Sequence, residues 1–275
     1  MLNALAATYS AAPTDLTTLS LLALSGLVAG IGITAIGPGG VLATIGLFAL
    51  TGLSPAQVAG TAIVTHVATG LLGTAAYTRS GQLRHPATRR TALLLAGSAV
   101  LGTPLGVLAN TLVSGRQFGV LLGVFVALVA ALVWWRERRA ARPGAGAGGG
   151  GEDGEVAHPG ALLTFGVGFG VAAASGVFGV GGPMLSVPLL VALHLPVLSA
   201  LAAAQAQSVV ISAVGTAGYV AHGAVDWPLA VLVGVPELAG VLVGWAVARA
   251  LPTRILKAAL IAALLALAPY LAFHG

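Results

Sequence analysis

Charged residues are missing from two long stretches of the chain. No Asp, Glu, Lys or Arg occurs at residues 16–78 or at residues 156–225. A helix that crosses a bilayer needs about 20 apolar residues in succession, so each stretch is long enough for more than one crossing. Only 7% of the 275 residues are charged, whereas soluble domains average about 25%. The sequence therefore predicts an all-α, polytopic membrane protein whose main solvent is lipid.

The composition also limits the chemistry that the chain can perform. There is no Cys, so neither disulfides nor thiolate metal sites are available. The 40 glycines are typical of membrane helices that pack closely. Residues 1–20 contain no basic region, so no cleaved signal peptide is predicted. We predict no cofactor and no bound metal. The net charge of +5 reflects arginines at membrane edges, so no nucleic-acid partner is predicted.

A change of composition near the middle divides the chain. Residues 136–142 are rich in Arg, residues 144–151 are almost entirely Gly and Ala, and an acidic group follows at 152–155. Such a segment cannot bury a core and is expected to be flexible. The prediction is a first membrane repeat at residues 1–135, a cytoplasmic linker at 136–160 and a second membrane repeat at 161–275.

The two halves share landmarks at a constant spacing of 142 residues. The aligned residues are Gly37 with Gly179, Gly39 with Gly181, Gly40 with Gly182, Tyr77 with Tyr219, Gly81 with Gly223 and Pro86 with Pro228. The order of Gly, Tyr and Pro is kept without a gap, which indicates an internal duplication.

Each half has the same series of apolar segments. The first half contains residues 18–36, 41–50, 56–78, 91–113 and 117–135, and the second contains residues 161–178, 184–193, 198–221, 228–248 and 255–273. A glycine cluster separates the first two segments of each half, and these segments are near or below spanning length. Each such pair is therefore predicted to form a broken, re-entrant hairpin, followed by three spanning helices.

The basic residues predict the orientation. They cluster at residues 79–90, at residues 136–142 and at residues 249–257. If each hairpin returns to its own side, all three groups share one face, which the positive-inside rule makes cytoplasmic. Both termini are then outside. Three crossings per half also require the second half to be inverted relative to the first.

Three motifs of the chain are typical of one protein family: Gly37-Pro38-Gly39-Gly40 with Gly60-Thr61, Gly179-Val180-Gly181-Gly182-Pro183, and the segment at residues 218–228. In these motifs the chain resembles the sulfite exporter family (TauE/SafE). It implies a multi-pass permease of the inner or plasma membrane that exports sulfite, sulfoacetate or related sulfur-containing anions. The second half departs from the first in having Ala203-Ala204 where the first has Thr61-Ala62, followed by Gln205 and Gln207.

The glycine clusters are the first candidate site. A helix break within the membrane frees backbone N–H groups at the start of the next half-helix, and these bind anions without Lys or Arg. The residues in question are Gly37, Gly39, Gly40, Gly179, Gly181 and Gly182. Pro183 fits the first turn of the second half-helix. The alternative is that the glycines serve only close helix packing.

Polar residues on the helix after each hairpin are the second candidate site. Thr61 and Thr65, with Thr69, share one helix face, and Gln205 and Gln207 lie on the equivalent helix with Ser208. An amide can donate to an anion, although hydrogen bonding between helices is an equally good interpretation.

Two titratable residues lie near the middle of predicted spans, namely His66 and Glu237. An intramembrane carboxylate is costly and usually functional, so Glu237 is predicted to couple transport to protons, with His66 as the second candidate. A structural hydrogen bond to a neighbouring helix is the alternative for both.

The architecture predicts a secondary transporter, and the resemblance implies that it exports a small sulfur-containing or organic anion. A cation or metal permease that uses His66 and Glu237 is an alternative, but it would need more ligands than the segments offer. An intramembrane enzyme is a further alternative, for which the chain shows no His-Glu motif and no nucleophile elbow. A non-transporting membrane scaffold also stays open.

Overall fold

The chain is described by a computed structural model over residues 15–35, 37–140 and 160–250, together with residues 262 and 265. Within these residues every regular element is a helix. α1 spans Leu16–Ala35, α2 Val41–Leu50, α3 Pro55–Arg79, α4 Pro86–Thr111, α5 Gly115–Ala140, α6 Ala161–Phe178, α7 Pro183–Ala192, α8 Val197–Ala221 and α9 Trp227–Ala250. The all-α membrane architecture is thereby confirmed.

Seven of the described helices are long and apolar enough to cross a membrane. The exceptions are α2 and α7, which have 10 residues each. At 1.5 Å per residue each is about 15 Å long, roughly half of the 30 Å hydrocarbon thickness. They follow the two glycine clusters, so the described part of each predicted repeat contains one half-length helix, as a broken hairpin would require.

Two helices extend past their predicted boundaries. α4 begins at Pro86 rather than at residue 91, because proline fits the first turn of a helix, where its missing N–H is not needed. α5 continues to Ala140, so the start of the predicted linker is helical, and the Arg138 guanidinium lies 3.8 Å from the centre of the Trp134 ring. The predicted termini, the linker from residue 141 to residue 159 and the predicted segment at 255–273, apart from residues 262 and 265, lie outside the described residues.

Glycines join the helices in two parallel pairs. On the α1–α9 pair, Gly26 packs on the backbone of Val233 and Gly30 packs on the backbone of Glu237. On the α4–α6 pair, Gly102 packs on the backbone of Phe169 and Gly106 packs on that of Ala173. In both pairs the contacts advance along the two helices in the same direction, so each pair runs parallel. Small residues allow this close backbone approach.

The central pair, α3 and α8, runs antiparallel. Ile63 contacts Gly215 near one end, Gly70 contacts Val209 in the middle, and Gly73 contacts Gln205 towards the other end. α3 and α8 occupy equivalent places in the duplicated sequence, and opposite directions of equivalent helices are what an inverted repeat requires. These contacts support the inverted repeat, which stays a prediction.

A matched pair of cysteines tests the inversion. Ser80 and His222 are both exposed, follow the ends of α3 and α8, and align at the spacing of 142 residues. We expect an impermeant thiol reagent added to intact cells to label His222→Cys, and to label Ser80→Cys only after permeabilisation. The native chain has no Cys, so background labelling is absent. Labelling of both variants from outside would contradict the inverted arrangement.

Candidate functional site

A narrow cleft of about 10 Å³ lies where the two glycine clusters meet the central helices α3 and α8. Both repeats contribute to it. Its lining consists of Ile33, Gly37, Gly40, His66, Thr69, Gly181, Pro183, Met184, Gln205 and Ser208. Neither Lys nor Arg is among these lining residues, so any charge that enters must be stabilised by neutral donors or by His66.

The backbone at the helix breaks explains the need for glycine. Gly37, between α1 and the following 3₁₀ turn, has φ 106°, a region that residues with a Cβ rarely adopt. In the second repeat Pro183 occupies the first turn of α7, as predicted. The N–H groups of Gly181 and Gly182 just before it have no hydrogen-bond partner among the described residues. The start of α7 therefore presents free amide donors at the cleft.

The central feature of the site is a buried pair formed by His66 on α3 and Glu237 on α9. Nδ1 of His66 lies 2.9 Å from Oε1 of Glu237, and the two residues are 1% and 0% exposed. The remaining polar atoms, His66 Nε2 and Glu237 Oε2, are buried without a partner among the described residues. A Cβ atom added to Gly40 would lie 3.3 Å from Nε2, so this free edge of the imidazole faces the glycine break.

The six candidate glycines separate into two groups. Gly37, Gly40 and Gly181 line the cleft. The other three pack against backbone instead. A Cβ added to Gly39 would overlap Gly32, and a Cβ added to Gly179 would overlap Ala59. A Cβ added to Gly182 would lie 3.2 Å from the Ala204 carbonyl oxygen. Close packing therefore accounts for Gly39, Gly179 and Gly182, whereas Gly37, Gly40 and Gly181 are the glycines that a ligand in the cleft would meet.

The predicted polar residues separate in the same way. Gln205 lines the cleft, together with Thr69 and Ser208. Three predicted binding residues do not line it, and their polar groups are engaged elsewhere. The Thr61 hydroxyl accepts from Asp226 N–H at 3.0 Å, the Thr65 hydroxyl donates to the Ala62 carbonyl at 2.8 Å, and Gln207 donates to the Gly168 carbonyl at 2.9 Å while accepting from Ser186.

Some of the site could not be found from the sequence. His66 and Glu237 were each identified, but they are 171 residues apart in the chain, and no local pattern joins them. Ile33 and Met184 line the cleft and carry no chemical signal that separates them from other apolar membrane residues. Within the described residues no group of three or more His, Asp or Glu side chains lies close enough to hold a metal.

Comparison with known proteins identifies a matching family and one similar protein. Residues 22–271 match the model of a family described as "Sulfite exporter TauE/SafE". The chain is also 29% identical over 209 residues to a "Probable membrane transporter protein" of Xylella fastidiosa (strain 9a5c), which covers 75% of this chain and 76% of that protein. No solved structure matches the chain significantly.

Proposed function

The chain belongs to the sulfite exporter TauE/SafE family, and on this premise we propose that it exports a small sulfur-containing or organic anion from the cell by secondary transport. Membership of the family and seven candidate spans make it a multi-pass membrane transporter. The observation that carries the finer proposal is the cleft between the repeats, where free donors of both halves converge on a space without Lys or Arg.

Three kinds of donor are available to an anion in the cleft. The first is the N–H group of Gly181, which has no partner among the described residues and lies at the positive end of α7. The second donor is the Gln205 amide, and the third is Nε2 of His66 when it carries a proton. A site of this kind binds a transient substrate more weakly than an arginine clamp would, which allows release on the other side.

The His66–Glu237 pair supplies a means of coupling to protons. A doubly protonated His66 would donate through Nδ1 to the Glu237 carboxylate and through Nε2 to the substrate, and loss of one proton would remove one of these donors. Anion binding and proton binding then favour each other, so anion and proton would leave the cell together, driven by the substrate accumulated inside. The pair lies between α3 and α9 rather than within one helix, so its protonation also affects how these helices pack.

Movement would occur about the central helices. α3 and α8 both line the cleft, and rocking of one repeat against the other would open it first to the cytoplasm and then to the outside. We place the protein in the cell membrane with the basic loops inside.

Flux into proteoliposomes tests the proposal. We expect uptake of sulfite, sulfoacetate or methanesulfonate, and no uptake of Zn²⁺ or other cations. Gly181→Val should raise the substrate Kd about ten- to a hundredfold, because a hydrogen bond to a charged group is worth about 1.5–3 kcal/mol. An added Cβ at Gly181 lies 3.1 Å from the flexible Ser208 hydroxyl, so the fold should tolerate the change.

The matched control is Gly166→Val on α6, where an added Cβ meets nothing within 4 Å. This control should transport as the native protein does. If Gly181→Val binds the anion with native affinity, the glycine amides are not part of the site. If no anion is taken up and a cation is, the proposed substrate class is wrong.

A further inference from the structure

A second and larger cavity adjoins the cleft. Its cavity volume is about 100 Å³, against about 10 Å³ for the cleft, and it shares Ile33, Thr69 and Gln205 with the cleft. A cavity of roughly 10–15 Å³ on this measure holds one water molecule, so the cleft has room for a small polar group and the larger cavity has room for an attached hydrocarbon part. The two spaces join at the three shared residues, so a single ligand can extend from one into the other.

The larger cavity is apolar away from the junction. Beyond the shared residues its walls include Leu72, Ala76, Leu201 and Leu242. Thr34 also lines it, but the Thr34 hydroxyl lies 3.2 Å and 3.1 Å from the carbonyl oxygens of Gly30 and Val241, to which it donates. At the junction the Thr69 hydroxyl donates to the His66 carbonyl at 3.2 Å, so the Gln205 amide is the free polar group there, and the Tyr77 phenol lines the cavity nearer the end of α3.

Gln205 is the polar group at the junction. It is 7% exposed, and its amide has no hydrogen-bond partner among the described residues. A Cβ atom added to Gly73 would lie 2.7 Å from Cδ of Gln205, so the amide lies flat on this glycine between the two spaces. The amide atoms are not among the fully enclosed polar atoms of the described residues, so they are open to the two spaces and available to a ligand.

The cavity lies on the basic side of the protein. Its α3 residues, Leu72 to Tyr77, come directly before Arg79 and the exposed Arg84. His66 lies about two turns further into α3. An anion that approaches from the basic face would therefore meet the large cavity first and the cleft second.

From this arrangement we infer that the large cavity is the cytoplasmic entrance for substrate and holds the apolar body of an organic anion while its charged head binds in the cleft. The inference rests on the proposed transport function and narrows its substrate to anions with a short hydrocarbon part. Gln205 lies at the junction of the two spaces, where its amide would hydrogen-bond the charged head of the anion and leave the apolar body in the large cavity.

A series of alkanesulfonates from methane- to butanesulfonate tests the inference in proteoliposomes. Each added CH₂ should lower the KM about fourfold, the factor expected for burial of one methylene. Ala76→Phe fills the cavity and should abolish this dependence on chain length. Ala75→Phe is the matched control, because Ala75 is the exposed neighbour on the same helix, and it should keep the dependence.

A cavity-enlarging variant covers the case in which Ala76→Phe does not fold. Leu201→Ala should shift the preferred chain length upwards. If sulfite and the alkanesulfonates are transported but the KM is the same from methane- to butanesulfonate, the inference is overturned and the proposed function still stands. Absence of transport for every anion, sulfite included, would overturn both.

A lipid is the competing occupant of the cavity. Leu72 and Leu242 on its rim are 40% and 65% exposed, so an acyl chain could enter from the bilayer. Native mass spectrometry of the purified protein separates the two cases. A lipid that co-purifies with the native protein and is lost in Ala76→Phe would assign the cavity to the acyl chain and overturn the inference, whereas lipid-free protein that binds butanesulfonate supports it.

Discussion

Glu237→Gln is expected to uncouple transport from the proton gradient. Glutamine has nearly the same shape and can still hydrogen-bond His66 Nδ1, 2.9 Å away in the native pair, but it cannot exchange a proton. A gradient of one pH unit is worth about 1.4 kcal/mol per proton, enough to concentrate a co-transported substrate about tenfold. The native protein should show this accumulation, and the variant should only equilibrate the substrate across the membrane.

Substrate affinity and flux driven by a pH gradient should both be measured on the same preparations of the native protein and of Glu237→Gln. Binding should stay within a few-fold of the native value, since the anion contacts Nε2 and the amides rather than the carboxylate. Asp226→Asn is the control, because Asp226 caps α9 by accepting from Leu229 N–H at 3.0 Å, and asparagine can do the same. A native response to pH in Glu237→Gln would make Glu237 structural and leave His66 as the next candidate.

Gly30→Ala is expected to have the largest effect on folding. Gly30 on α1 faces the backbone of α9, and an added Cβ would overlap the carbonyl oxygen of Glu237 and lie 2.8 Å from Val241 N. Backbone atoms cannot rotate away as side chains do, so α1 and α9 must separate. The cost should reach or exceed the roughly 1–3 kcal/mol typical of overpacked sites, and Glu237 would move relative to His66.

Thermal unfolding in detergent measures this cost. Gly170→Ala on α6, the counterpart of α1, is the matched control, because an added Cβ at Gly170 meets nothing within 4 Å. It should be neutral or slightly stabilising, since alanine is the better helix former by about 1 kcal/mol. If Gly30→Ala unfolds at the native temperature, the close approach of α1 to α9 is not needed for the fold.

The sequence by itself determined the class of protein. Lipid offers no hydrogen-bond partner to an open backbone, so long stretches without charge can only be helices. The sequence also located the two helix breaks at Gly37 and Gly179, because clustered glycines interrupt an apolar run in the same place in both halves. Five of the predicted long spanning segments, and the two short helices α2 and α7, have counterparts among the described helices, with differences only at their ends.

The tertiary structure decided which of the identified residues work together. Gln205 and Gln207 look equivalent in the sequence, yet they are about 200° apart around a helix with 3.6 residues per turn. Gln205 therefore reaches the cleft, while Gln207 bonds Gly168. In soluble helices an apolar stripe shows which face is buried, but most of a membrane helix is apolar on all sides. The threonines indicated a polar face of α3, but the sequence did not show which helix would pack beside His66, and only the packing of α3 against α9 brought His66 to Glu237.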